Sequence, residues 1–208
     1  MKFSTKILLF VSFLSMNSFA KSNIQDSIST QNKNQIKVHY GLMSFYYFGL
    51  VLGDVFRGVL TTTDQDSILY EYKMPGTFGI NYSKLINKRV AIGFEYNYTY
   101  ARSHRTNAKD ILDNKTDKLH FNNVGGLVHV MYIHKRKVQL YGGAEVGISI
   151  WSSKSTDNVT NETVKETIIR PNWHLNLIGI DVGKKVGGFL ELGVGNRGLI
   201  NAGLRVGF

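Results

Sequence analysis

The chain has 208 residues, 43% of them hydrophobic, with 21 glycines, two prolines, no cysteine and a formal net charge of +10. Without cysteine there is neither a disulfide framework nor a thioether-linked lipid anchor. The bases lie scattered between segments of alternating hydropathy rather than on one helix or stripe, which argues against nucleic acid and for an anionic lipid surface.

Residues 1–20 carry Lys2 and Lys6, an apolar run from Ile7 to Leu14, and Ser18-Phe19-Ala20. This predicts a secretory signal peptide cleaved after Ala20, since the run is far shorter than the roughly twenty residues a membrane helix needs. Residues 21–35 are polar and lack aromatics, and are expected to be a disordered periplasmic leader.

From residue 36 to 208 the chain alternates with period two, the mark of strands with two unlike faces. In the first strand, 36–48, Ile36, Val38, Tyr40, Leu42, Tyr46 and Phe48 share a face opposite Lys37, His39, Gly41 and Met43. Residues 49–73 break the pattern, and Leu52, Val55, Phe56, Val59 and Leu60 recur at helical spacing, predicting a long loop with a short amphipathic helix.

Strands over 77–86 and 90–103 form a hairpin about the basic turn Asn87-Lys88-Arg89. Val90, Ile92, Phe94, Tyr96, Tyr98 and Tyr100 face one way, as a lipid face with an interfacial aromatic girdle would. Residues 104–118 read as a charged loop. A strand over 119–134 follows, with a bulge expected near Asn122-Asn123, then a basic turn at 135–137. Residues 138–151 place Gln139, Tyr141, Gly143, Glu145, Gly147 and Ser149 inward. Residues 152–167 read as a Ser/Thr/Asn loop, 168–184 as a strand with a phase slip near Leu177-Ile178, and 185–188 as a turn. Strands 189–195 and 199–208 close the sheet through Asn196-Arg197-Gly198.

Eight strands with alternating long and short connections predict a closed antiparallel transmembrane β-barrel, all-β apart from the first-loop helix. So narrow a barrel is filled by side chains rather than water. Lys37, Glu95, Glu145, Asp181, Glu191 and Arg205 fall on inferred inward faces, as do His39, His129 and His174. Buried charges persist only when paired, so the six are expected to form a structural interior network.

In the terminal strand Ile200, Ala202, Leu204, Val206 and Phe208 alternate with Asn201, Gly203, Arg205 and Gly207. Asn201, Gly203, Val206 and Phe208 resemble the terminal assembly signal of bacterial outer-membrane β-barrels. The stretch from Gly179 to Gly195, with Gly198 and Ala202-Gly203-Leu204, is similar to the C-terminal part of small Gram-negative barrel proteins of the porin-like, attachment and opacity type. That resemblance implies an outer-membrane monomer contacting outer-membrane lipid, lipopolysaccharide and the barrel-assembly machinery. It implies no enzymatic activity and no cofactor, with a structural envelope role or recognition of an external ligand or host surface through the outer loops.

Two other function classes compete. A lipid A acyl hydrolase or transferase needs a serine and a histidine together at the outer rim, and His174 with Ser149 or Ser152 is the arrangement the strand order allows. Transport of small solutes or hydrophobic compounds would need an open lumen. No histidine pair has metal-ligand spacing on a shared face, and no metal is expected.

Overall fold

The computed structural model describes residues 33–44, 68–107, 114–135 and 137–208. The expected signal peptide, most of the leader and the helix around Leu52 to Leu60 lie outside the described residues. Among the described residues nine strands form: β1 (Asn34–Leu42), β2 (Ile68–Lys73), β3 (Thr77–Leu85), β4 (Val90–Asn107), β5 (Asn114–His134), β6 (Val138–Asp157), β7 (Thr163–Gly183), β8 (Val186–Gly195) and β9 (Ile200–Gly207). Pairing runs β4-β3-β1-β9-β8-β7-β6-β5, and β5 returns to β4, so the antiparallel sheet closes on itself. Both β3 and β2 pair with β4, against residues 91–99 and 102–107 respectively, so they occupy one place in a ring of eight.

The break between β2 and β3 has a local cause. Pro75 has no N–H to give to a ladder, and Gly76 adopts φ +141. The Tyr40 hydroxyl of β1 donates to the Pro75 carbonyl, which fixes the break.

Alternation decides which side each residue takes. Val38, Phe78, Ile92, Phe94, Val146 and Leu204 face outward and are exposed, while Lys37, Glu95, Glu145, Glu191 and Arg205 are buried inside. This inverts a soluble domain, and an exposed apolar belt running round a closed sheet is what lipid contact requires.

The register also sets the tilt. Gly183 of β7 leads through Gly187, Arg205, Lys37, Asn81, Glu95, Gly125 and Gly147 back to β7 at Asn172, eleven residues from the start. One of those eleven is the extra residue of a bulge, because the β7–β8 register shifts between Asn176 and Ile178. A stagger of about ten residues over eight strands corresponds to a strand tilt of about 40°.

Several boundaries depart from the sequence expectations. The loop expected over 49–73 ends in strand β2, the loop over 104–118 contracts to 108–113, and the loop over 152–167 contracts to the turn 158–162. Beyond a lipid belt a strand need not be apolar, so the ladder continues on polar and β-branched residues such as Thr156 and Thr163, whose hydroxyls lie 3.3 Å apart. The bulge expected at Asn122-Asn123 is absent there; the register shifts instead between Met131 and Ile133. Phe121, Leu127 and Met131 face inward, so what read as a slipped phase is apolar filling of the lumen. Met43 has φ 57 and is exposed, leaving the strand rather than facing in. The last turn-end connection is only Lys184-Lys185, and β1 starts at Asn34, earlier than expected. The phase slip near Leu177-Ile178 occurs where expected, both residues facing outward.

Large inward side chains sit against glycines of neighbouring strands. Tyr141 packs on Gly179, where an added Cβ would lie 2.5 and 2.6 Å from ring carbons of the tyrosine. Gly179→Val is therefore expected to push Tyr141 off its partners and cost about 1–3 kcal/mol. A lower melting temperature of the folded band on semi-native gels is the readout.

Candidate functional site

Two regions carry chemistry: the buried lumen and the surface at the end of the barrel bearing the connections 45–67, 108–113 and 158–162, here the loop end.

In the lumen, β1, β6, β7, β8 and β9 contribute a lower cluster. Lys37 Nζ lies 3.0 Å from Asp181 Oδ1 and 3.6 Å from Glu191 Oε1, and donates to the Tyr141 hydroxyl. That hydroxyl is 2.6 Å from Glu191 Oε1 and 2.9 Å from Asp181 Oδ1. Arg205 reaches Asp181 at 3.6 Å and donates to the carbonyls of Gly183 and Lys184, tying the network to the turn below.

The upper cluster turns on a residue that sequence reading assigned to a surface connection. Arg197 leaves the β8–β9 turn, enters the lumen and is 1% exposed. Its guanidinium lies 2.9 Å from Glu191, 3.2 Å from Glu95 and 3.8 Å from Glu145. Positive φ at Gly195 and Gly198 bends the chain inward on either side of it, and the Leu199 N–H donates to the Leu42 carbonyl. Asn196 donates to Glu145, while Asn97 and Asn81 donate to Glu95. Glu191 binds both Lys37 and Arg197, so the two clusters form one network spanning Lys37, Glu95, Glu145, Asp181, Glu191 and Arg205 with Arg197 as its hub. Composition could not single out Arg197, because Asn-Arg-Gly has the same character as any exposed turn. The signal that was available is the shortness of that connection among longer ones.

His39, His129 and His174 are also inside. Among the described residues no group of His, Asp and Glu is arranged to hold a metal ion. His174 is not brought beside either candidate serine. It stands opposite Glu145, with Ser149 four residues further along β6, about 13 Å away, whereas Ser152 lies on the outward face against Thr167. Asn201 and Gly203 face the lumen side of β9, and Val206 and Phe208 its outward side.

At the loop end the wall is uneven. β7 pairs with β8 only as far as His174, yet continues against β6 to Thr163, and β4 and β5 pair on to Thr106 and Asn114. With β2 these strands make a sheet that stands beyond the β8–β9 turn. Residues 163–171 are exposed on both faces. Its β6–β7 turn is fixed by Asp157, whose carboxylate accepts from the N–H groups of Val159 and Thr160, and these bonds hold its pKa below the ordinary value.

A closed ring of eight antiparallel positions, apolar outside and filled by a salt-bridged lumen, defines the class as a transmembrane β-barrel fold. No family model and no curated protein matches the chain. Among solved structures the chain is similar to the crystal structure of Ail, the attachment invasion locus protein of Yersinia pestis, at 12% identity and a TM-score of 0.41, with 85% of this chain and 99% of that chain covered.

Proposed function

We propose that this protein is a monomeric, non-enzymatic barrel of the bacterial outer membrane that acts in surface recognition through its loop-end sheet. The observation that carries this reading is the extension of β4 to β7 beyond the β8–β9 turn, where Thr163, Lys165, Glu166, Thr167 and Arg170 alternate with exposed Val164, Ile168 and Ile169 on a segment exposed on both faces. The barrel wall faces lipid, the lumen is crossed by the Arg197 network, and the opposite end has turns of a few residues, so a contact surface for an external ligand or host surface is left at the loop end. Export through a cleaved signal peptide and insertion by the barrel-assembly machinery belong to the same reading, with Asn201, Gly203, Val206 and Phe208 of β9 as the pattern that machinery reads. The filled lumen does not support transport of solutes, and the separation of His174 from Ser149 and Ser152 does not support an acyl hydrolase site.

The test replaces residues 155–164 by a two-residue hairpin turn, leaving the strands below intact. We expect the shortened protein to assemble but to lose most adhesion to host material in cells that express it. Unchanged adhesion, together with detergent sensitivity in cells lacking the protein, would replace recognition by an envelope-integrity role.

A further inference from the structure

The register at the loop end brings together bases that lie far apart in sequence. Arg102 of β4 stands opposite Lys118 of β5, Lys118 opposite Lys154 of β6, and Lys154 opposite Lys165 of β7. All four are exposed, and their positions continue the outward face of Ile92, Phe94, Tyr96, Tyr98 and Tyr100 without a register shift between. Lys73 of β2, opposite Arg102, extends the row. On the outward face the acid nearest by register is Glu71, opposite His104, two residues from Lys73 along β2 and diagonal to Arg102, while Asp117 and Glu166, next to Lys118 and Lys165 in sequence, take the opposite face. Among the described residues no ion pair joins any of the four to a carboxylate.

Like charges directly opposite on neighbouring strands destabilise a sheet. Four in succession are therefore a cost unless an anion lies across them. The row's height indicates which anion. It lies one alternate residue, about 7 Å, beyond the row Tyr100–His120, and so at head-group level above the aromatic girdle. Because the strands tilt by about 40°, the row is also oblique. Three strand spacings cover about 14 Å, and along them the row climbs about 9 Å away from the belt towards Lys165. A glycerophospholipid offers one layer of phosphate, which only the Arg102 end would meet. A lipid whose phosphates at the acyl–sugar junction continue into an acidic sugar stalk matches the whole climb.

We infer that Arg102, Lys118, Lys154 and Lys165 form an oblique binding row for the polyanionic head of lipopolysaccharide on the outer wall of the barrel. The inference rests on the outer-membrane reading above and gives that reading a lipid partner at a defined place.

The full barrel is folded in zwitterionic detergent, and binding of fluorescent lipopolysaccharide is followed by polarisation. The quadruple variant R102Q/K118Q/K154Q/K165Q is expected to bind at least tenfold more weakly. A control removing four charges at the turn end, K135Q/K137Q/K184Q/K185Q, is expected to bind within twofold of the parent. Wild-type binding should weaken with added salt, and should fall at least tenfold for dephosphorylated lipopolysaccharide and for phosphatidylglycerol. Equal losses in the two quadruple variants, or no loss in the first, would overturn the row as a site. Equal affinity for phosphatidylglycerol would overturn the match to a tall head. The folded, heat-modifiable band of each protein is read alongside. Its absence in the parent would count against the barrel reading itself, whereas its presence with unchanged binding counts against the row alone.

Discussion

Arg197→Met is expected to destabilise the folded barrel by about 3–5 kcal/mol, the range for removing one partner from a buried ionic network. The guanidinium lies within 2.9 to 3.8 Å of Glu191, Glu95 and Glu145, and among the described residues no other cation forms an ion pair with all three. After the substitution Glu191 keeps Lys37 at 3.6 Å, but Glu95 is left with His39 at 3.7 Å and neutral amides. Glu145 is left with Asn196. Arg197→Lys is expected to lie between wild type and Met, because a point ammonium cannot fork between carboxylates as a planar guanidinium does. Neutralising the orphaned acids should recover part of the loss, so R197M/E95Q/E145Q is expected to be more stable than R197M, a non-additivity that identifies the contact. Urea titration of the refolded barrel in lipid vesicles measures all four proteins. A change below about 0.5 kcal/mol for R197M is what an ordinary exposed turn would give, and would contradict the buried placement.

Phe94→Arg is the second large effect, acting from the other side of the wall. Phe94 is 63% exposed within the apolar part of the outward face of β4, between Ile92 and Tyr96, next to Tyr82 across the strand pair and beside Gly126 on β5. An arginine there at mid-depth costs about 2–4 kcal/mol, whereas near the interface the cost falls to about 0–1 kcal/mol. Tyr100→Arg, six residues further towards the loop end, is therefore expected to insert almost normally. The contrast between the two variants in folding yield into vesicles is the measurement. Equal yields would mean that the outward face of β4 does not meet hydrocarbon, and would remove the membrane assignment from the belt.

The two predictions act on opposite sides of the same wall, and those sides were legible in very different degrees. Strict period two in 90–100 and 138–150 placed Phe94 outward and Glu95 and Glu145 inward, because a strand turns each successive side chain to the opposite face whatever its partners are. The seat of Tyr141 on Gly179 was not legible, because it depends on which residue of β7 the register sets opposite the tyrosine. The alternation failed as a guide where the lumen accepts apolar filling, as at Phe121, Leu127 and Met131, because a filled interior does not require polarity at each position.

What the chain determined by itself was the local part: which residues of the apolar belt extend, which face a side chain takes where the alternation is strict, and where short basic turns reverse the direction. Those depend on backbone geometry and the period of hydropathy, both local quantities. Tertiary structure alone decided how the strands register. It carried the strands beyond the apolar belt, since hydrogen-bond pairing continues whether or not side chains are apolar. It turned Arg197 from an apparent surface residue into the hub among Glu95, Glu145 and Glu191, because a short β8–β9 connection must close over the lumen. It also aligned Arg102, Lys118, Lys154 and Lys165, which come from four separate segments and share a row only through pairings that no local pattern encodes.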